Sequence, residues 1–132
     1  EQKAKMLLSR FEMSDKTDKL GKELSKGMQQ KLSICCALLP EPKVVLFDEP
    51  FVGLDPHAIK ELKAVMTELR YDECAVLIST HMLDSVEEFW DKALIMRNGQ
   101  IAAVRERKEI EQSGEDLEKL FFEITEGRGE SQ

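Results

Sequence analysis

The sequence predicts an α/β fold with a parallel core and an antiparallel end piece. Three observations predict it. Two continuous apolar runs, Val44-Val45-Leu46-Phe47 and Cys74-Ala75-Val76-Leu77-Ile78, have the length and β-branched content of strands buried on both faces. A helical pattern from about His57 to Arg70 separates them, and alternating strand, helix, strand gives a parallel sheet. Asn98-Gly99 then joins two further short strand patterns, the strongest short hairpin signal.

The elements follow in order. Ala4, Leu7, Leu8 and Phe11 fall at helical spacing with charges between them, so residues 1 to about 12 form an amphipathic helix with no visible cap at its start. Ser14–Glu23 is polar and reads as a loop or short helix. Ser25 is a good N-cap, and apolar residues at 28, 32, 35, 36 and 39 carry a helix to about Leu39, where Pro40 and Pro42 stop it. Lys43–Asp48 is the first strand. Phe51–Pro56 is a tight loop whose last two residues, Asp55-Pro56, cap and open the next helix. The face of that helix toward the core is Ile59, Leu62, Val65, Met66 and Leu69. After the second strand, a helix begins near Met82 and runs to Trp90. The hairpin spans Lys92–Arg97 and Gln100–Arg105, and a short polar helix covers Glu106–Gln112. Ser113 is a candidate cap for a closing amphipathic helix over Glu115–Glu126, and Gly127–Gln132 reads as a disordered tail.

Composition narrows the function classes. The chain has 132 residues, 42% hydrophobic and 34% charged, which suits one modest core. A net charge of -7 argues against non-specific binding to nucleic acid or anionic lipid. No apolar stretch approaches the roughly 20 residues that span a bilayer, and residues 1–5 do not open a signal peptide. Cys35, Cys36 and Cys74 have no zinc or disulfide spacing, so they read as reduced thiols in a cytoplasmic protein, with Cys35 and Cys36 as small core residues.

Chemistry gathers at the ends of the apolar runs. The first delivers Asp48-Glu49, and the second delivers Ser79-Thr80-His81, to the carboxyl edge where open α/β sheets bind ligands. Adjacent carboxylates there suit a metal ion and a polarised water. Ser25 and Gly27 lie at a helix amino terminus, where free N–H groups and the dipole favour an anion and glycine permits close approach.

Four stretches stand in one order: LSKGMQQ at 24–30, VVLFDEP at 44–50, FVGLDP at 51–56 and STH at 79–81. Together they resemble the second half of an ATP-binding cassette (ABC) ATPase domain, over about residues 14–105. The resemblance implies part of a P-loop NTPase core, with residues 1–40 ending a helical subdomain and 41–126 forming the carboxyl-terminal part of the ATPase core. It implies that Ser25, Lys26, Gly27 and Gln29 belong to the signature turn, which meets the γ-phosphate of an ATP held by a second subunit. Asp48 corresponds to the acid that orients Mg²⁺, Glu49 to the carboxylate that polarises the attacking water, and His81 to the switch histidine. Asp55 lies in the D-loop at the dimer interface. Lys26 stands where the family most often has glycine and Met28 where it most often has glutamine; Lys26 adds a positive charge near a phosphate.

The sequence contains no G-x-x-x-x-G-K-[ST] loop. The expectation is a fragment that binds ATP weakly, hydrolyses none, exposes strand edges and self-associates. The intact protein is expected to be the cytoplasmic motor of a membrane transporter, pairing with a second ATPase subunit and with transmembrane subunits. Other ABC-type ATPases, acting in translation or in chromosome maintenance and DNA repair, remain open, as does a non-catalytic interaction fragment.

Overall fold

The computed structural model describes residues 1–126, so the tail expected at 127–132 lies outside the described residues. The chain divides into two compact units, Glu1–Met82 and one beginning at Leu83.

In the first unit, α1 (Gln2–Arg10) turns Leu7 and the following Phe11 into the core. Arg10 reaches from its end to Glu61 and Glu68, with nitrogen–oxygen distances of 3.2 and 2.7 Å. Two short 3-10 turns cover Ser14–Lys16 and Gly21–Glu23. The second helix, α2 (Lys26–Leu38), starts where the Ser25 hydroxyl accepts the Met28 amide at 3.2 Å. Strand β1 (Val44–Asp48) pairs in parallel with β2 (Ala75–Ser79), and the crossover is α3 (Pro56–Tyr71). Asp55 caps α3 by accepting the Ala58 amide at 3.0 Å, and Pro56 fills its first turn.

The second unit holds a short helix α4 (Leu83–Val86), the antiparallel hairpin β3 (Lys92–Arg97) and β4 (Gln100–Glu106), α5 (Arg107–Ser113) and α6 (Leu117–Thr125). The hairpin turn has positive φ at both residues, 51° at Asn98 and 75° at Gly99, as its twist-matched turn requires.

Several expectations are corrected. β1 is buried on one face only: Val45 and Phe47 are covered, while Val44 and Leu46 are open. No residue of β2 is fully buried, and Leu77 is open beside Leu46, its register partner. The described residues cover one face of this strand pair, so the apolar run exceeds what it buries. In α2 the buried stripe is Lys31, Ile34, Cys35 and Leu38, and Cys36 falls off it onto the surface. Burial pushes the Cys35 thiol up to about 11, as for an inert core residue.

α4 stops at Val86 instead of reaching Trp90. The Glu87 carbonyl accepts Arg107 Nη1 at 3.0 Å, and the Arg107 guanidinium lies 5.9 Å from the centre of the Trp90 ring. Asp116, not Ser113, caps α6 by accepting the Lys119 amide; Ser113 instead accepts the Glu115 amide beside Gly114, whose φ of 69° closes α5.

The open face of β1 and β2 should make this chain self-associate. Light scattering is expected to give a mean mass that rises with concentration. Replacing Leu46 and Leu77 together by serine should hold the mass at one chain; a wild-type mass that stays at one chain throughout would overturn this.

Candidate functional site

Parallel pairing fixes the first group of side chains. The register sets Asp48 opposite Ser79, and the Glu49 amide donates to the Ser79 carbonyl at 2.8 Å just past the last strand residue. Asp48 is exposed, and its carboxylate accepts the Ser79 hydroxyl. Glu49 has a φ of 45°, the left-handed region that costs a non-glycine residue about 1–2 kcal/mol. Its carboxylate is held by three donors. Thr80 Oγ1 donates to Oε2 at 3.2 Å, the His81 amide donates to Oε1 at 3.1 Å, and His81 Nδ1 lies 2.7 Å from Oε1.

A carboxylate only accepts, so Nδ1 carries the proton and Nε2 is the ring nitrogen that can meet a ligand. The His81 side chain is 70% exposed, whereas that of Glu49 is 36% exposed. Thr80 also accepts the Met82 amide at 3.0 Å, which ties the turn to the strand end. The edge can therefore hold an acid and an imidazole in one fixed geometry, open to a polar ligand.

The second group is the start of α2 against the loop after Glu49. A Cβ built on Gly27 would sit 2.7 Å from the Gly53 carbonyl oxygen, so a close backbone approach, not a positive φ, requires glycine there. Gln30 Nε2 donates to the Pro50 carbonyl at 3.3 Å. Lys31 is buried, and its Nζ lies 2.6 Å from Asp55 Oδ2. Asp55 sits well below the usual carboxylate range, at about 2, first because Lys31 bonds it and then because it accepts the Ala58 amide.

The structure thus brings Asp48, Glu49 and His81 together, and separately brings Gly27 to the loop that carries Asp55. Ser25 spends its hydroxyl as the helix cap. Lys26 is exposed, and Gln29 braces the preceding loop by donating to the Gly21 and Leu24 carbonyls, each at 3.2 Å. Sequence reasoning missed Lys31 and Gln30. The available signal was spacing, since both lie on the α2 face that Gly27 shares at i+3 and i+4.

Among the described residues no cluster of three or more histidine, cysteine or acidic side chains could hold a metal. Magnesium needs less: one or two carboxylates, with phosphate oxygens and waters completing its shell. The exposed Asp48 carboxylate fits that donor set.

Gly27→Ala should lower the unfolding free energy by about 1–3 kcal/mol through this clash, although alanine is the better helix former. A urea midpoint equal to wild type would contradict it. Acid should weaken the Lys31–Asp55 pair in a defined window. The folded carboxyl titrates near 2 against an ordinary 3.8, so its contribution is complete above about pH 4 and lost as pH falls toward 2. The gap in urea midpoint between wild type and Asp55→Asn should stay constant from neutral pH to about 4, then narrow.

Comparison with known proteins follows the same lines. The sequence model of the family described as ABC transporter matches residues 1–52. The chain is 40% identical to the ABC-type transporter ATP-binding protein EcsA of Bacillus subtilis, over 90% of its own length and 50% of that protein. It is 32% identical to the lipopolysaccharide export system ATP-binding protein LptB of Haemophilus influenzae, over 92% of its length and 50% of that protein. A solved ATP-binding subunit of an ABC transporter superposes with a TM-score of 0.85 at 35% identity, over 93% of this chain and 53% of that one. A nucleotide-free ATP-binding cassette of an ABC transporter gives 0.69 at 31% identity, over 95% and 50%. The chain spans about half the length of each of these relatives. Among the described residues no helix is long and apolar enough to cross a membrane. A chain that follows these ATP-binding subunits over nine-tenths of its own length, in sequence and in backbone, belongs to the ABC transporter ATPase family and carries part of its α/β P-loop NTPase fold.

Proposed function

We propose that this chain supplies the signature turn and the acid edge of an ABC ATPase, and that the protein containing it couples ATP hydrolysis to transport across a membrane. The observation that carries this reading is the grip of Thr80 and His81 on the Glu49 carboxylate beside Asp48. Family membership supports it.

In this reading, residues 1–40 end the helical subdomain and 41–126 belong to the ATPase core. Glu49 orients the attacking water and draws on its proton, and its three donors keep the carboxylate from swinging away. His81 presents Nε2 to the γ-phosphate while Nδ1 stays on Glu49. Asp48 would hold Mg²⁺, which neutralises charge building on the phosphate oxygens when bound. Ser25, Lys26, Gly27 and Gln29 form the turn that meets the γ-phosphate of ATP on a second subunit, and Asp55 lies in the loop beside it. Backbone N–H groups at the start of α2 and the Lys26 ammonium supply positive potential there. The phosphate-binding loop is not among these 132 residues. The partners are a second ATPase subunit and transmembrane transporter subunits, and the protein works at the cytoplasmic face of the membrane.

Hydrolysis by the intact protein tests this. Glu49→Gln should cut kcat by about 100-fold or more while Mg-ATP still binds, and the 132-residue chain alone should give no titratable Mg-ATP binding by calorimetry. Unchanged turnover in Glu49→Gln would refute the assignment, and micromolar binding by the chain alone would refute the proposed division of the site.

A further inference from the structure

Lys31 is the charged side chain that α2 turns into the core, only 8% exposed, with Nζ 2.6 Å from Asp55. It shares a helix face with Gly27 and Gln30. Those two meet the same loop, at the Gly53 and Pro50 carbonyls. One face of α2 therefore grips residues 50–55 at three points, and only the Lys31 contact joins opposite charges.

Asp55 is committed on both oxygens. Oδ1 accepts the Ala58 amide at 3.0 Å and Oδ2 pairs with Lys31. A bare carboxylate beside a bound polyphosphate would repel it, and the buried ammonium cancels that charge. A buried ion pair is a poor source of stability compared with apolar packing, but it specifies one register between the elements it joins.

We propose that Lys31 is a positioning residue: through Asp55 it holds loop 51–55 in register with the Ser25–Gly27 turn, so that both reach the ATP-bearing face of a second subunit as one surface. Asp55 then acts as an anchor and not as a direct ligand of the nucleotide. This rests on the ATPase reading above and adds a residue to it.

The test is a double-mutant cycle in the intact ATPase. Lys31→Met should lower kcat about 10- to 100-fold and leave KM for Mg-ATP within about twofold, because misplacement of a surface made in trans costs the chemical step and not binding to one's own subunit. Asp55→Asn should do the same, the double variant should lose no more than either alone, and Lys31→Arg should restore most of the rate. Additive losses, or turnover of Lys31→Met equal to wild type, would overturn the proposal. If Lys31→Met fails to fold, Lys31→Gln, which keeps a donor without the charge, takes its place in the cycle with the same two readings. Glu49→Gln measured alongside separates the failures. If it abolishes turnover while Lys31→Met does not impair it, the positioning role falls and the ATPase reading stands; if Glu49→Gln turns over normally, both fall.

Discussion

The parallel pairing of β1 with β2 is the constraint on which the site depends. Five register pairs run from Val44↔Ala75 to Asp48↔Ser79. Side chains alternate across a strand, so a slip of one residue would send Asp48 to the opposite face and break its bond to Ser79. Because the pairing is parallel, both strands end at the same edge, and α3 must cross back between them. That connectivity brings residues more than thirty apart in sequence, Glu49 and His81, within 2.7 Å. The edge is an outcome of topology before it is an outcome of local chemistry.

Glu49 shows the cost of using that edge. Its φ of 45° turns the chain out of the strand and the carboxylate back across the end of β2. About 1–2 kcal/mol of backbone strain is offset by hydrogen bonds to a charged acceptor, each worth about 1.5–3 kcal/mol. The strain is thus tied to the bonds that orient the carboxylate. Thr80 and the His81 amide hold the carboxylate through contacts that do not involve the imidazole ring.

How much of this was legible follows from how local each cause is. Ser25 and Asp55 as caps, Pro56 in the first turn of α3 and Asn98-Gly99 as the hairpin turn are short-range chemistry, and all stand as the sequence predicts. Ser113 failed as a cap because Gly114 needed the left-handed closing turn of α5, which moved the next helix start to Asp116. Burial was less legible. An apolar run states what a strand tolerates, not what lies over it, so nothing in Val44–Phe47 reveals that one face is open. The phase of α2 was misread because Lys31 looks like a surface residue until its partner 24 positions later is known. The motifs named Asp48, Glu49 and His81, yet the bonds that make them one site depend on the strand register.

The open strand face and the closed α2 contact also differ in kind. Val44, Leu46 and Leu77 form an apolar surface that any apolar layer of suitable shape could cover. Such a surface supplies association without specifying orientation. The α2 grip is the reverse: a glycine admitting one carbonyl, an amide meeting another, and a buried ammonium paired with a carboxylate. Apolar burial can be repacked at modest cost, but a buried charge has few acceptable partners. The orientation of the loop carrying Asp55 is therefore set by directional contacts that strand packing alone would leave unspecified. That is the arrangement the positioning role proposed for Lys31 requires.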